Sequence, residues 1–241
     1  MTTSPPSREH VFSQWLLDEF QGRRISIGLF RRSSDDSRER TRVDISLDSF
    51  KLKEVCERCN NGWMSALESN AKPLILGLIR GNIQFDALDE NERRILARWA
   101  AKTAIIESHS IGAESPVNSD YLNRMRTNAD GVPGRFAVAA AHTHLEVFAH
   151  MQIGLIYDLI GGGIAAGNIV MIVLPKLAFA CLFPMLEIPY ECRCLMSLYA
   201  PLWPSPRAWK PMRIGPLPTD LDELETIAAL AERVEMHHPF V

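Results

Sequence analysis

The ten residues Val55-Cys56-Glu57-Arg58-Cys59-Asn60-Asn61-Gly62-Trp63-Met64 constrain this chain most. They join a Cys-x-x-Cys pair to an Asn-Asn-Gly turn, where Gly62 can supply a positive φ, and then run straight into helical spacing. Met64, Leu67, Ala71, Leu74, Ile75 and Leu78 form one apolar stripe, and Ser65 with Glu68 three positions on reads as a capping box. Pro73 falls inside the stripe, which predicts a kink or a second helix beginning there. Free cysteine packs as a small hydrophobe, so taken alone Cys56 and Cys59 fit buried thiols. Trp63 and Met64 read as core residues that seat the helix.

Pattern divides the rest of the chain. Residues 1 to 8 are dominated by Ser, Thr and Pro and read as loosely attached. Val11, Phe12, Trp15, Leu16 and Phe20 fall at offsets that share a helical face. Ile25 to Phe30 and Val43 to Leu47 each alternate with a period of two and read as the mates of a hairpin, set in an arginine-rich loop. Asp89 to Ile106 is the clearest helix, with Asp89 and Glu92 at its cap and Ile95, Leu96, Trp99, Ala100, Thr103 and Ile106 recurring along it. Asp120 to Arg126 reads as a short helix within a connector. Phe136 to Ala141, Leu145 to Gly154, Ile169 to Val173 and Leu177 to Phe183 read as strands, with a helical piece near Ile156. Residues 200 to 218 read as a Pro- and Trp-rich arm, and Asp222 to Glu235 as a last helix. The expected class is α+β, with a small unit over residues 1–79 and a larger mixed helical and β-rich unit over 80–241.

Composition narrows the partners. A net charge of −3 excludes a globally basic nucleic-acid coat, so any DNA contact must come from local clustering. Residues 23 to 42 hold one such cluster: Arg23, Arg24, Arg31, Arg32, Arg38, Arg40 and Arg42 face only Asp35, Asp36 and Glu39. A solvated loop is the other reading of that run. Five cysteines without a regular framework fit a reducing cytoplasm, and the polar opening residues lack the apolar stretch of a secretory signal. The longest apolar region, Ile153 to Phe183, is interrupted by Asp158, the triple glycine Gly161-Gly162-Gly163, Asn168, Pro175 and Lys176, which argues against a membrane span.

Two strings carry a resemblance. Arg8-Glu9-His10-Val11-Phe12-x-x-Trp15-Leu16, and later Val55-Cys56-x-x-Cys59-Asn60-Asn61-Gly62-Trp63-Met64-Ser65-x-Leu67-Glu68, are similar to a group of bacterial and phage-associated chains described as HNH (His-Asn-His) endonuclease-like. The resemblance covers residues 8 to 79. It implies an N-terminal ββα-metal module, two strands and a helix around one divalent ion, and hydrolysis of DNA phosphodiester bonds. Such hydrolysis needs a water relieved of its proton and a cation to stabilise charge on the phosphate. The resemblance gives the first task to His10 as general base, since imidazole titrates near ~6.5. It gives the second to Glu9 and Asn60, oxygen ligands suited to Mg²⁺ or Mn²⁺. Neighbouring strand residues face opposite ways, so Glu9 and His10 can work together only where the strand is distorted or ends. Arg23, Arg24, Arg31 and Arg32 are the candidate DNA contacts.

Two departures stand against the group's pattern. Its members commonly carry another Cys-x-x-Cys upstream, and the two pairs together hold a structural zinc. Here no cysteine precedes Cys56, so Cys56 and Cys59 supply half of the four-coordinate shell that zinc requires. A preceding pair or distant residues complete it, or zinc is absent. Nine positions before Asn60, where the superfamily's middle Asn braces the loop, this chain has Lys51. A catalytically degenerate HNH fold that binds nucleic acid, or a phage or mobile-element structural protein, is therefore the alternative, with His10 an ordinary surface histidine.

The remaining constellations are weaker. His142-Thr143-His144 reads as a surface strand without an acidic or thiol partner. Cys192-Arg193-Cys194 lacks the usual zinc spacing, and Gly161-x-Gly163-x-x-Ala166 is followed by β-branched residues instead of the helix that a dinucleotide site needs. His237-His238 belongs to the tail.

Overall fold

The computed structural model describes residues 6–10, 12–20, 24–32, 38–46, 51–110, 120–127, 132, 136–158, 164–184 and 200–203. In order these form β1 (Pro6–His10), α1 (Gln14–Glu19), β2 (Arg24–Arg32), β3 (Arg38–Ser46), β4 (Lys51–Cys56), the single turn α2 (Glu57–Cys59), a kinked helical turn over Asn60–Met64, α3 (Ser65–Ile79), α4 (Glu90–Ser110) and α5 (Asp120–Thr127). Five strands follow: β5 (Ala137–His142), β6 (Phe148–Asp158), β7 (Ile164–Leu174), β8 (Leu177–Pro184) and β9 (Ala200–Trp203). Helices and a largely antiparallel sheet make the class α+β.

The packing centres on α4, and its sequence explains why. Asp89 and Glu92 close a reciprocal cap: Glu92 N–H donates to Asp89 Oδ1 at 2.8 Å and Asp89 N–H donates to Glu92 Oε2 at 2.9 Å. The early turns of the helix keep Arg94 and Arg98 half-buried, and from Trp99 to Ser108 every residue is buried. Ala97, Ala100, Ala101 and Ala104 present little side chain, so other elements approach the helix closely. Packed against α4 are α3 and strands β5, β7, β8 and β9.

The sheet has the order β3-β2-β6-β7-β8-β5-β9, and its neighbours are antiparallel except for the parallel pair β2 and β6. Register puts Val138, Ala140, Phe148, Val170, Ile172, Phe179 and Cys181 on the face that joins the helices in one core. There Trp99 meets Phe179 at 5.4 Å between ring centroids, while Phe12 and Phe20 stand edge-on to Phe148 at 5.9 and 5.2 Å. Full burial of each such side chain stabilises by ~1.5–3 kcal/mol. Residues on both sides of position 79 contribute to this sheet and to this core.

Several local expectations are corrected. The segment near Ile156 is strand, because Ile156 pairs with Ala166 in the long β6–β7 ladder. The described residues of the arginine tract are strand and not loop: β2 pairs with β3 from Arg24↔Ser46 to Arg32↔Arg38. Pro6 to Arg8 belong to β1, and helix is confined to Gln14–Glu19 because Glu9 and His10 are drawn into pairing with β4. No second helix begins at Pro73, since a single helix, Ser65–Ile79, runs through it. Ser65 is not a cap, since the chain is already helical at Met64, and Gly62 makes the kink at φ −99° instead of a positive φ. The expected last helix, most of the Pro/Trp arm, Gly161 to Gly163, Cys192, Cys194, His237 and His238 lie outside the described residues. No helix among the described residues is long and apolar enough to cross a membrane.

Helix α3 stops at a left-handed glycine. Gly81 has φ +74°; its N–H donates to Leu78 O at 3.1 Å and the Asn82 N–H to Gly77 O at 2.8 Å, the paired bonds that end a helix in a Schellman turn. Gly81→Ala should therefore lower stability by ~1–2 kcal/mol, the cost of a Cβ in the left-handed region. Denaturant unfolding measures it, and an unchanged midpoint would contradict the assignment.

Candidate functional site

Strands β1 and β4 form a two-stranded antiparallel sheet apart from the large one. Pro6 pairs with Cys56 and Ser7 with Val55; after a register shift Glu9 pairs with Leu52 and His10 with Lys51. The strand ends at His10. The extra residue of that shift lies on β4, between Leu52 and Val55, whereas Glu9 and His10 pair in regular register with Leu52 and Lys51; the distortion therefore precedes the Glu9–His10 pair instead of falling within it. Their side chains lie outside what is described. Asn60 follows β4 by four residues, half-buried at the start of the kinked turn.

Cys56 and Cys59 meet where β4 becomes helix. The Cys59 N–H donates to Cys56 Sγ at 3.2 Å, so the thiol caps the turn, and both residues are half-buried. The hydrogen bond from the Cys59 thiol pulls the Cys56 thiol below its ordinary pKa; burial, then that same bond, pushes Cys59 up. Among the described residues no group of three His, Cys, Asp or Glu stands together. The pair thus offers two soft ligands and no more, which does not fit a structural zinc on its own.

Glu68 is a centre that sequence reasoning read as a cap. Its Oε2 accepts from Trp15 Nε1 at 2.9 Å and from Trp99 Nε1 at 2.7 Å, while Lys102 Nζ donates to Oε1. Three elements, α1, α3 and α4, therefore meet on one carboxylate. Burial alone would raise its pKa, but the charge and hydrogen bond of Lys102, with the Trp15 indole, hold Glu68 below the usual carboxylate range. Lys102 is itself buried, at 4% exposure.

A second buried pair continues along α4. His150 Nδ1 lies 2.5 Å from Glu107 Oε2 with both side chains fully buried. Burial pushes the Glu107 carboxyl up against the opposing pull of His150 and then Lys102. Nearby Cys181 is driven well above its ordinary value by burial and by the Glu107 charge. The His150 Nε2 finds no hydrogen-bond partner among the described residues. The sequence holds one hint of these groups: from Trp99 to Ile106 Lys102 is the single charged residue in a run of Trp, Ala, Thr and Ile.

The arginines separate by register. Arg24 pairs with Ser46 and Arg32 with Arg38, on one face of the hairpin, whereas Arg31 pairs with Glu39 on the other. Arg23 lies outside the described residues. His142 and His144 are exposed, and the His142 ring rests 4.8 Å from that of Phe85.

Removing the cation from the Glu68 centre should be severe. Lys102→Met leaves a largely buried carboxylate without its counter-charge and should cost ~2–4 kcal/mol, part of which Lys102→Met/Glu68→Gln recovers. A loss under ~1 kcal/mol would contradict the network. The two carboxylates also bend the pH profile in opposite senses. Glu68, held below its unfolded value of ~4.3, gives stability that is present above that pH and lost as pH falls through its folded value. Glu107, raised, gives stability that is present below ~4.3 and lost as pH climbs through its folded value. Urea unfolding across pH should show a shallower acid limb in Glu68→Gln and a smaller loss toward neutral pH in Glu107→Gln. Profiles parallel to the parent would refute both assignments.

Comparison of the chain with family models, with curated proteins and with solved structures finds no match.

Proposed function

We propose that the chain is a metal-dependent endonuclease of the HNH type that hydrolyses DNA phosphodiester bonds, its site built at the β1–β4 pair and the turn that follows. One observation carries the reading: His10, where the resembled group has its base, is the cross-strand partner of Lys51, where that group has its middle motif residue. Strand β4 then leads within four residues to Asn60, the third motif position. Two strands in antiparallel register followed directly by helix support an HNH-like ββα module.

The two motif strings are also joined by side chains. Trp15, from the first, donates to Glu68, from the second, across 53 positions. Phe12 and Leu16 share a buried core with Met64 and Leu67. The recurring aromatic and aliphatic residues of both strings thus have a structural task, which is to hold β1 and the Asn60 turn in one body.

The donor chemistry fits a hard divalent ion: a carboxylate from Glu9 and an amide oxygen from Asn60 are ligands that Mg²⁺ or Mn²⁺ accepts while keeping waters. Such an ion supplies stabilisation of charge on the phosphate and the leaving oxygen. His10 takes the proton of the attacking water with its neutral imidazole, from the last described position of β1 next to Glu9. No step is routed through Cys56 and Cys59, which brace the turn before Asn60 through the Cys59 N–H to Sγ bond.

Plasmid nicking with Mg²⁺ or Mn²⁺ tests this. The parent should nick, His10→Ala should lose ~10²–10⁴-fold, the range a general base contributes, and Asn60→Ala should fall comparably. Equal rates in all three would remove the nuclease assignment. DNA binding by a parent that cuts nothing would favour the degenerate, binding-only fold.

A further inference from the structure

The β2–β3 hairpin extends the reading from where cleavage occurs to how duplex is held. Its two faces differ sharply. One carries Ile25, Ile27, Leu29 and Arg31 on β2 against Ile45, Val43, Thr41 and Glu39 on β3. Ile25 is fully buried, so this face belongs to the core. The other carries Arg24, Ser26, Gly28, Phe30 and Arg32 against Ser46, Asp44, Arg42, Arg40 and Arg38. Ser46 is exposed on it. Five arginine positions share that face with one carboxylate, on a chain whose overall charge is negative.

Position in the sheet matters as much as charge. Strand β3 is the edge of the seven-stranded order, and β2 is fixed behind it by parallel pairing with β6. The hairpin is a braced border, not a free flap. Along β3, Arg38, Arg40 and Arg42 recur at every second residue, about 6.8 Å apart, comparable to the axial rise of two nucleotides of one B-DNA strand at ~3.4 Å each. Guanidinium is the side chain that best matches phosphate oxygens in paired geometry.

We propose that the arginine-bearing face of the β2–β3 hairpin docks the phosphate backbone of duplex DNA without reading its sequence, an inference that rests on the nuclease reading for its choice of polyanion. Arg24, Arg32, Arg38, Arg40 and Arg42 are its contacts, and Arg31, on the core face, is not among them. Phosphate contacts position a duplex and carry no base information, so affinity should follow salt and be indifferent to sequence.

The test is fluorescence anisotropy of the full chain with a short labelled duplex across a salt series. For the parent, log K should fall against log salt with a slope of roughly −4.5, as about five phosphate contacts require. Arg38→Gln/Arg40→Gln/Arg42→Gln should bind about 10–100-fold more weakly near ~0.1 M salt and flatten the slope by about 2–3. Arg38→Lys/Arg40→Lys/Arg42→Lys, which keeps the charge, should retain most of the affinity, which separates lost contacts from lost folding. Parent-like binding by the Gln variant, no duplex binding by the parent, or preference for anionic phosphatidylserine vesicles over duplex would each overturn the proposal. The outcomes separate it from the nuclease reading. Salt-dependent binding lost in the Gln variant, with no nicking by the parent, leaves the docking face standing and the nuclease fallen. Nicking by the parent, with binding and nicking unchanged in the Gln variant, does the reverse.

Discussion

The carboxylate of Glu68 is the joint on which this molecule turns. A buried negative charge is tolerated only when it is met by charge and hydrogen bonds, and here it is met by the Lys102 ammonium and two indole N–H groups from different helices. Because Trp15 comes from α1, the segment leading from β1 is tied to α3; because Trp99 and Lys102 come from α4, both are tied to the central helix. Fixing α1 fixes the end of β1, where Glu9 and His10 lie, relative to the helix that begins beside Asn60. A contact remote from any chemistry thus sets the frame in which chemistry is proposed.

The second buried pair ties the same helix to the sheet. Glu107 of α4 meets His150 of β6, and His150 is the register partner of Ile27 on β2. Through one helix the N-terminal residues, the sheet and the basic hairpin become a single mechanical unit. Buried polar groups of this kind add little net stability over a well-packed apolar core. Their consequence is alignment: a slip of one residue in β6 would remove His150 from Glu107 and leave two buried polar groups unmatched.

Much of the fold was legible, and the reasons for the misses are physical. Strong local signals survived: the Asp89–Glu92 cap, the α4 stripe, the short α5 helix, and the four strands at Phe136, Leu145, Ile169 and Leu177 all appear as their patterns imply. Errors arose where tertiary pairing outweighed local preference. Ile156 sits in strand because β7 offers a continuous ladder, and the described parts of the arginine tract are strand because β2 is held between β3 and β6, with Ile25 buried. Glu68 was read as a cap because its spacing from Ser65 is right; nothing local reveals that two tryptophans 31 and 53 positions away claim it. Of the candidate site, the two strings name the residues that the resemblance implies, whereas the strand register that sets His10 opposite Lys51 is not legible in them.

The account stands or falls on whether Glu9 and Asn60 grip one divalent ion beside His10. Titrating Mn²⁺ into the chain, followed by its paramagnetic resonance signal, measures this without reference to any substrate. One ion per chain is predicted, with affinity reduced ~10-fold or more both in Glu9→Gln and in Asn60→Ala. Affinity equal to the parent in both variants would contradict it.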